Sequence, residues 1–265
     1  MRKVNLACLF LVIALCHIVP NSALGLEDSN YRNITIISDL DDTIKITNTT
    51  DAWSTIGNAL YSTDIFSGTN LLYRKMVPKD KGFYLLSASP TFLLSKVVRL
   101  LTTHNMPKAD ITLRNIINQR NKRAYKLNAV RRMIGNSPES EQFILLGDDS
   151  NLDPEVYGQI VQENPGRILS VYIHPVKGRD LGTLTGIKTF HTPFDIALYE
   201  EMAGRLDTQW VLDLGLEMLR APAKLLYPNF MSCALLPSIP APHPSQSRLV
   251  KVANLLTNRI KGICK

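Results

Sequence analysis

The sequence predicts an α/β domain built on a mostly parallel sheet. Three observations carry that expectation. Short apolar, β-branched runs recur along the chain, segments with helical spacing lie between them, and acidic or hydroxyl residues follow several runs directly. In order, NITIIS at 33–38 is a buried strand and GFYLLS at 82–87 a second. The weaker run at 109–113 is a third, QFILL at 142–146 a fourth and RILSVYI at 167–173 a fifth. Between them, 91–103 places Phe92, Leu93, Val97, Leu100 and Leu101 at helical spacing. The segment 124–134 does so with Leu127, Val130 and Ile134. A third helix is expected over 154–162, with Asp153 as its N-cap and Pro154 at its first position.

The totals set bounds. The chain has 265 residues, 45% of them hydrophobic, enough for one large core or a domain with an appendage. A net charge of +7 suits anionic partners without choosing among them. The sequence has no internal repeat, no zinc-type CxxC pair and no RNA-binding aromatic motif, so no nucleic-acid partner is expected. Arg2 and Lys3 precede an apolar core at 6–19, then Pro20 and the small-residue pattern Ala23-Leu24-Gly25. This reads as a signal peptide over 1–25, cleaved after Gly25, and implies a periplasmic or secreted protein. Cys8 and Cys16 leave with the leader, while Cys233 and Cys264 remain, as one disulfide or two free thiols. Two N-x-T sequons, at Asn33 and Asn48, matter only in a glycosylating host.

In parallel sheets ligands bind beyond the carboxyl ends of the strands. That edge receives Asp39, Asp41 and Thr43 from ISDLDDTIK, Ser87 from LLSASP, and Asp148 from the GD pair after the fourth strand. Lys126 lies on the preceding helix, and Asp153 follows Asp148 by five positions. Unpaired buried carboxylates are costly, so such a cluster is either a solvated turn or a site where something positive compensates, and a solvated turn would have to explain each of these residues separately.

These motifs, in this order, resemble the haloacid dehalogenase (HAD) superfamily of aspartyl phosphotransferases. With YKLNAV, ITLRNI and GDDSNLDPEVYGQI they are similar to the actin-patch-protein type of Mg²⁺-dependent phosphatidate phosphatases, over about 33–199. The resemblance implies a Rossmann-like, HAD-type fold and hydrolysis of phosphatidate to diacylglycerol and phosphate, with Mg²⁺ as cofactor. It makes Asp39 the nucleophile and a metal ligand. Asp41 becomes the acid/base, with its main-chain carbonyl on the metal. Asp148 is a metal carboxylate, and Asp153 a third ligand or a holder of the metal's waters. Ser87 and Lys126 contact the phosphoryl group, Thr43 orients Asp41 and the loop, and Arg114 either binds substrate phosphate or is a surface arginine.

Alternatives stand beside these assignments. Ser89 competes with Ser87 but reads as a cap before Pro90, and Lys122 competes with Lys126 one helical turn away. Asp42 reads as solvent-facing or as a turn cap, and Asp149 as part of a solvated turn. His104, His174, His191 and His243 have no paired spacing and receive no metal.

The expected organisation is a catalytic domain over 26–206 with a small cap insertion at 46–78. A helical C-terminal extension over 207–265 contains a proline-rich linker at 237–245. The last segment places Leu249, Val252, Leu256, Ile260 and Ile263 on one face amid basic residues. Such a helix over 248–265 either lies on an anionic membrane or docks on the domain. Two other functions remain open: a phosphatase of soluble phosphomonoesters, and a non-catalytic membrane- or partner-binding protein on the same scaffold.

Overall fold

Six parallel strands form one sheet: β1 (Ile34–Ser38), β2 (Phe83–Pro90), β3 (Ala109–Arg114), β4 (Gln142–Asp148), β5 (Ile168–His174) and β6 (Ile187–Thr189). Their order across the sheet is β3-β2-β1-β4-β5-β6, and every pairing is parallel. The structure is a computed structural model and describes residues 29–47, 63–182, 184, 186–234 and 240–264. The expected leader at 1–25 lies outside the described residues.

Alternation along the strands builds two cores. Ile34, Ile36, Ile144, Leu146 and Tyr172 face one side, and Ile37, Phe143, Leu145, Val171 and Ile173 the other. Both sides are covered by helices, which is why the strands read as continuous apolar runs. Helices α1 (Thr69–Met76), α2 (Leu94–Thr103), α5 (Pro193–Met202), α6 (Thr208–Met218) and α8 (Ser247–Ile263) pack on the first side. Helices α3 (Lys122–Gly135) and α4 (Asp153–Glu163) pack on the second. A short α7 (Ala223–Leu226) completes the set among the described residues.

Three sequence expectations change here. First, within the segment expected as a cap, α1 belongs to the core: Leu72, Tyr73 and Met76 are buried there. Of the expected insertion, 48–62 lie outside the described residues. Second, the N-cap of α4 is Leu152, and Asp153 is the first helical residue, its side chain engaged elsewhere. Third, the apolar face of α8 is spent on the domain. Leu249, Val252, Ala253, Leu256 and Ile260 are buried. Val252 approaches so close to Gly215 of α6 that an added Cβ would lie 2.5 Å from its Cγ1. Arg259 donates to the terminal carbonyls of α6, at 3.1 Å to Met218 and 2.5 Å to Leu219, and a disulfide joins Cys233 to Cys264. Of the two placements the sequence leaves open for this helix, its apolar face takes the docked one.

Candidate active site

The loop after β1 is shaped by its own backbone. Asp39 N–H donates to the Leu146 carbonyl of β4 at 2.8 Å, and the buried Leu40 anchors the next position in the core. Ile44 and Lys45 then donate back to the Leu40 carbonyl at 3.0 and 2.9 Å, closing a tight turn. The turn needs a left-handed residue, and Asp42 supplies it with φ 57°. Asp tolerates this region better than most side chains. Asp42 is fully buried instead of solvent-facing: its carboxylate accepts from Thr47 N–H at 2.8 Å. Its carbonyl lies 2.7 Å from His174 Nδ1.

Asp39, Asp148 and Asp153 come together at the carboxyl edge of the sheet. One carboxylate oxygen from each lies within 4.8 Å of the others, and all three residues are buried. Lys126 reaches in from α3, with Nζ 2.9 Å from Asp39 Oδ1 and 2.5 Å from Asp153 Oδ1. Asp153 Oδ2 accepts from Asp148 N–H at 3.3 Å. Gly147 makes this approach possible, because a Cβ there would lie 2.5 Å from Asp153 Oδ2. That contact is the physical reason for glycine in the GD pair.

Asp41 is turned to a different set of partners. Its Oδ2 accepts from Ser89 Oγ at 2.8 Å and from Ser87 Oγ at 3.2 Å, and its Oδ1 accepts from Thr47 Oγ1 at 2.9 Å. Ser89 therefore joins Ser87 in holding Asp41, and Thr47 does the orienting expected of Thr43. The buried Thr43 hydroxyl has no hydrogen-bond partner. Arg114 Nε donates to the Ala88 carbonyl at 3.1 Å, which stations its guanidinium beside the two serines. Lys122 is exposed and takes no part in the carboxylate cluster.

The loop between Asp148 and α4 is braced rather than solvated. Asp149 is fully buried and accepts from Lys177 N–H at 2.6 Å and Arg179 N–H at 2.7 Å. Arg179 donates back to the Asn151 carbonyl at 2.9 Å and pairs with Glu155. The strand after Arg167 thus sends a clasp across to the acidic loop. Nothing in the linear spacing links Asp149 to Arg179.

Burial sets the electrostatics. It pushes the Asp39 carboxyl well above its ordinary range, with Asp153, Asp148 and Asp41 adding to the push and Lys126 opposing it. It raises Asp148 to about 7, reinforced by Asp153 and opposed by Lys126 and Ser150. Burial alone would lower the Lys126 ammonium, but Asp153 and Asp39 outweigh it and hold it above its usual value. One ammonium does not balance three buried carboxylates. Asp148 Oδ2 is itself buried without a hydrogen-bond partner. The donor set is all oxygen, which suits a hard divalent cation.

A groove of about 810 Å³ lies at the other end of the sheet, lined by Lys108 and Trp210. It brings no carboxylate cluster of this kind. The candidate site is therefore the carboxyl edge.

Residues 34–175 match the family model described as "Phosphatidate phosphatase APP1, catalytic domain". The chain belongs to this family. The matched region begins with β1 and ends just after β5, so it contains the whole carboxylate cluster, Lys126 and both serines of this APP1-type domain. An uncharacterised protein of Schizosaccharomyces pombe is 28% identical over 167 residues, 58% of this chain and 27% of the relative. The chain thus spans about a quarter of that relative's length. No solved structure matches the chain.

Proposed function

We propose that this APP1-family protein is an exported, Mg²⁺-dependent phosphatidate phosphatase that works through an aspartyl-phosphate intermediate. The observation that carries the reading is the buried Asp39–Asp148–Asp153 cluster tied by Lys126, at the strand edge of a domain of this family.

The residues fit the metal. The orphaned Asp148 Oδ2 and the surplus of buried negative charge are what a divalent cation would satisfy. Asp39, Asp148 and Asp153 would hold it, with the Asp41 main-chain carbonyl completing the protein's share. When bound, Mg²⁺ supplies Lewis-acid stabilisation of phosphoryl charge.

The chain's own residues account for the rest. The Asp39 carboxylate attacks phosphorus, and the bond from phosphorus to the lipid oxygen breaks as the acyl phosphate forms. Asp41, aimed by Ser87, Ser89 and Thr47, gives a proton to the leaving diacylglycerol oxygen. It then takes a proton from the water that attacks the acyl phosphate, which frees inorganic phosphate and restores Asp39. Lys126 neutralises charge at the nucleophile throughout. Export is supported by the leader read from the sequence and by the Cys233–Cys264 disulfide, which suits an oxidising compartment.

The test is phosphate release from phosphatidate in mixed micelles, with Mg²⁺ and with EDTA, beside a soluble ester such as p-nitrophenyl phosphate. Metal-dependent release from phosphatidate is expected. Release from the soluble ester alone would transfer the assignment to soluble phosphomonoesters.

A further inference from the structure

The side chains around the mouth of the site divide into two kinds. β2 and β3 pair in register as far as Pro90 and Arg114, at the same edge as the carboxylate cluster. Beyond that point both chains expose large apolar side chains within three residues. Phe92 follows β2 and is 70% exposed; Ile116 and Ile117 follow β3, and Ile117 is 77% exposed. Leu94 and Val98, one turn apart at the start of α2, are also exposed, bordering its buried Val97 and Leu101. Nine large hydrophobic side chains are exposed among the described residues, and five of them are these. The two most exposed of the nine stand on neighbouring strand ends, so the clustering is not the ordinary scatter of single surface residues.

The segments that carry the patch hold charge of one sign. Segments 82–108 and 111–138 contain no Asp or Glu. Exposed Lys96 and Arg99 flank the α2 side, and exposed Arg120 and Arg123 flank the other. Protruding apolar side chains flanked by these cations match an anionic lipid surface, where the apolar tips enter the acyl boundary and the cations face headgroups. The patch is also continuous with the site. Arg114 and Pro90 end the strands that expose it, and Ser87 and Ser89, which hold Asp41, lie on one of those strands.

We propose that this corner of the domain, tipped by Phe92 and Ile117, is the face that docks on an anionic phospholipid bilayer and brings the carboxylate cluster to the headgroups. Its purpose rests on the lipid-substrate reading above, but its test does not. The C-terminal helix, for which the sequence left membrane contact and docking both open, spends its apolar stripe on the domain and leaves Leu255 as its exposed large hydrophobic side chain, whereas this corner presents five.

The experiment is co-sedimentation of the processed protein, purified from an exporting host, with phosphatidylcholine vesicles and with vesicles containing about one third phosphatidylserine. Using phosphatidylserine keeps binding separate from turnover. The wild-type chain is expected to bind the anionic vesicles and to be released by salt. The double substitution Phe92→Ser/Ile117→Ser is expected to weaken partitioning about a hundredfold, roughly tenfold for each inserted side chain. Both positions are exposed, so thermal unfolding of this variant should match the wild type. Arg120→Glu/Arg123→Glu should weaken binding to the anionic vesicles only. Met202→Ser/Leu216→Ser removes two exposed hydrophobic side chains elsewhere and should bind as wild type.

Undiminished binding by Phe92→Ser/Ile117→Ser would overturn the proposal. So would an equal loss from Met202→Ser/Leu216→Ser, or a wild-type chain that ignores vesicles and self-associates through the patch. Binding through the patch without phosphate release from phosphatidate would leave the docking face standing and remove the substrate reading. Release from phosphatidate micelles without patch-dependent binding would do the reverse.

Discussion

Replacing Lys126 with methionine removes the single cation of the carboxylate cluster while keeping the length of the side chain. Lys126 Nζ lies 2.9 Å from Asp39 and 2.5 Å from Asp153, with all three groups buried. At an effective dielectric of about 20, each contact is worth about 6 kcal/mol of Coulomb attraction. Desolvating the ammonium and both carboxylates consumes several kcal/mol per ion, so the net loss is smaller than the sum. Removing one partner of a buried cluster costs about 3–5 kcal/mol, and protonation of the abandoned carboxylates brings the figure toward about 3 kcal/mol near neutral pH. The same protonation disarms the nucleophile. Asp39 is already pushed upward by burial, and losing Lys126 pushes it further, so the acid limb of the pH–rate profile moves to higher pH. Turnover should fall by about 10²–10³, the usual worth of one preorganised charge at a developing anion. The assay is p-nitrophenyl phosphate hydrolysis across pH, with urea unfolding on the same samples. Lys122→Met, one turn away and exposed, is the comparison and should lose less than about fivefold. A Lys126→Met enzyme that keeps more than about a tenth of wild-type activity, or loses less than Lys122→Met, would refute the assignment of the buried cation.

Two further outcomes follow from the same contacts. Gly147→Ala places a Cβ 2.5 Å from Asp153 Oδ2, so Asp153 must move by about 1 Å; kcat should drop by up to about 10², with a stability loss of about 1–3 kcal/mol, read from initial rates and thermal unfolding. His174 is buried against the Asp42 and His191 carbonyls, and burial lowers it from 6.5 to about 4. The unfolded chain therefore binds a proton between about pH 6.5 and 4 that the folded chain does not, and stability is lost as pH falls through that window, by up to about 3 kcal/mol. Urea midpoints at both ends of the window should show that loss in the wild type and a shallower slope in His174→Gln; equal slopes would remove His174 from the account.

The sheet was legible because a doubly covered parallel strand must be apolar on both faces, and NITIIS, FILL and SVYI have no other soluble use. The order of Asp39, Lys126 and Asp148 was legible because strand–helix alternation brings successive strand ends to one edge. What escaped depends on loop paths. Thr43 and Thr47 carry the same hydroxyl, and only the left-handed turn at Asp42 decides that Thr47 meets Asp41. Ser89 before a proline looks like a cap, yet the continuation of β2 to Pro90 brings its hydroxyl to the same carboxylate as Ser87. Asp149 looked solvated because its partners, the amides of Lys177 and Arg179, lie across a different crossover. Helix α8 shows a limit of periodicity: an apolar stripe in a basic setting reads the same whether protein or lipid covers it, and the covering surface of α6 has no signature in the α8 sequence. The three-residue β6 was too short to stand out from its flanking loop.

The central claim is that Asp39 is the nucleophile, and it is tested most directly by acid-quenching the enzyme during phosphatidate turnover with Mg²⁺ and reading the peptides by mass spectrometry. The account predicts a phosphoryl increment on the peptide carrying Asp39. In Asp39→Asn, which should fold because it removes one of three crowded buried carboxylates, both the increment and phosphate release should be absent. Sustained phosphate release by Asp39→Asn, or an increment on another residue, would contradict the mechanism.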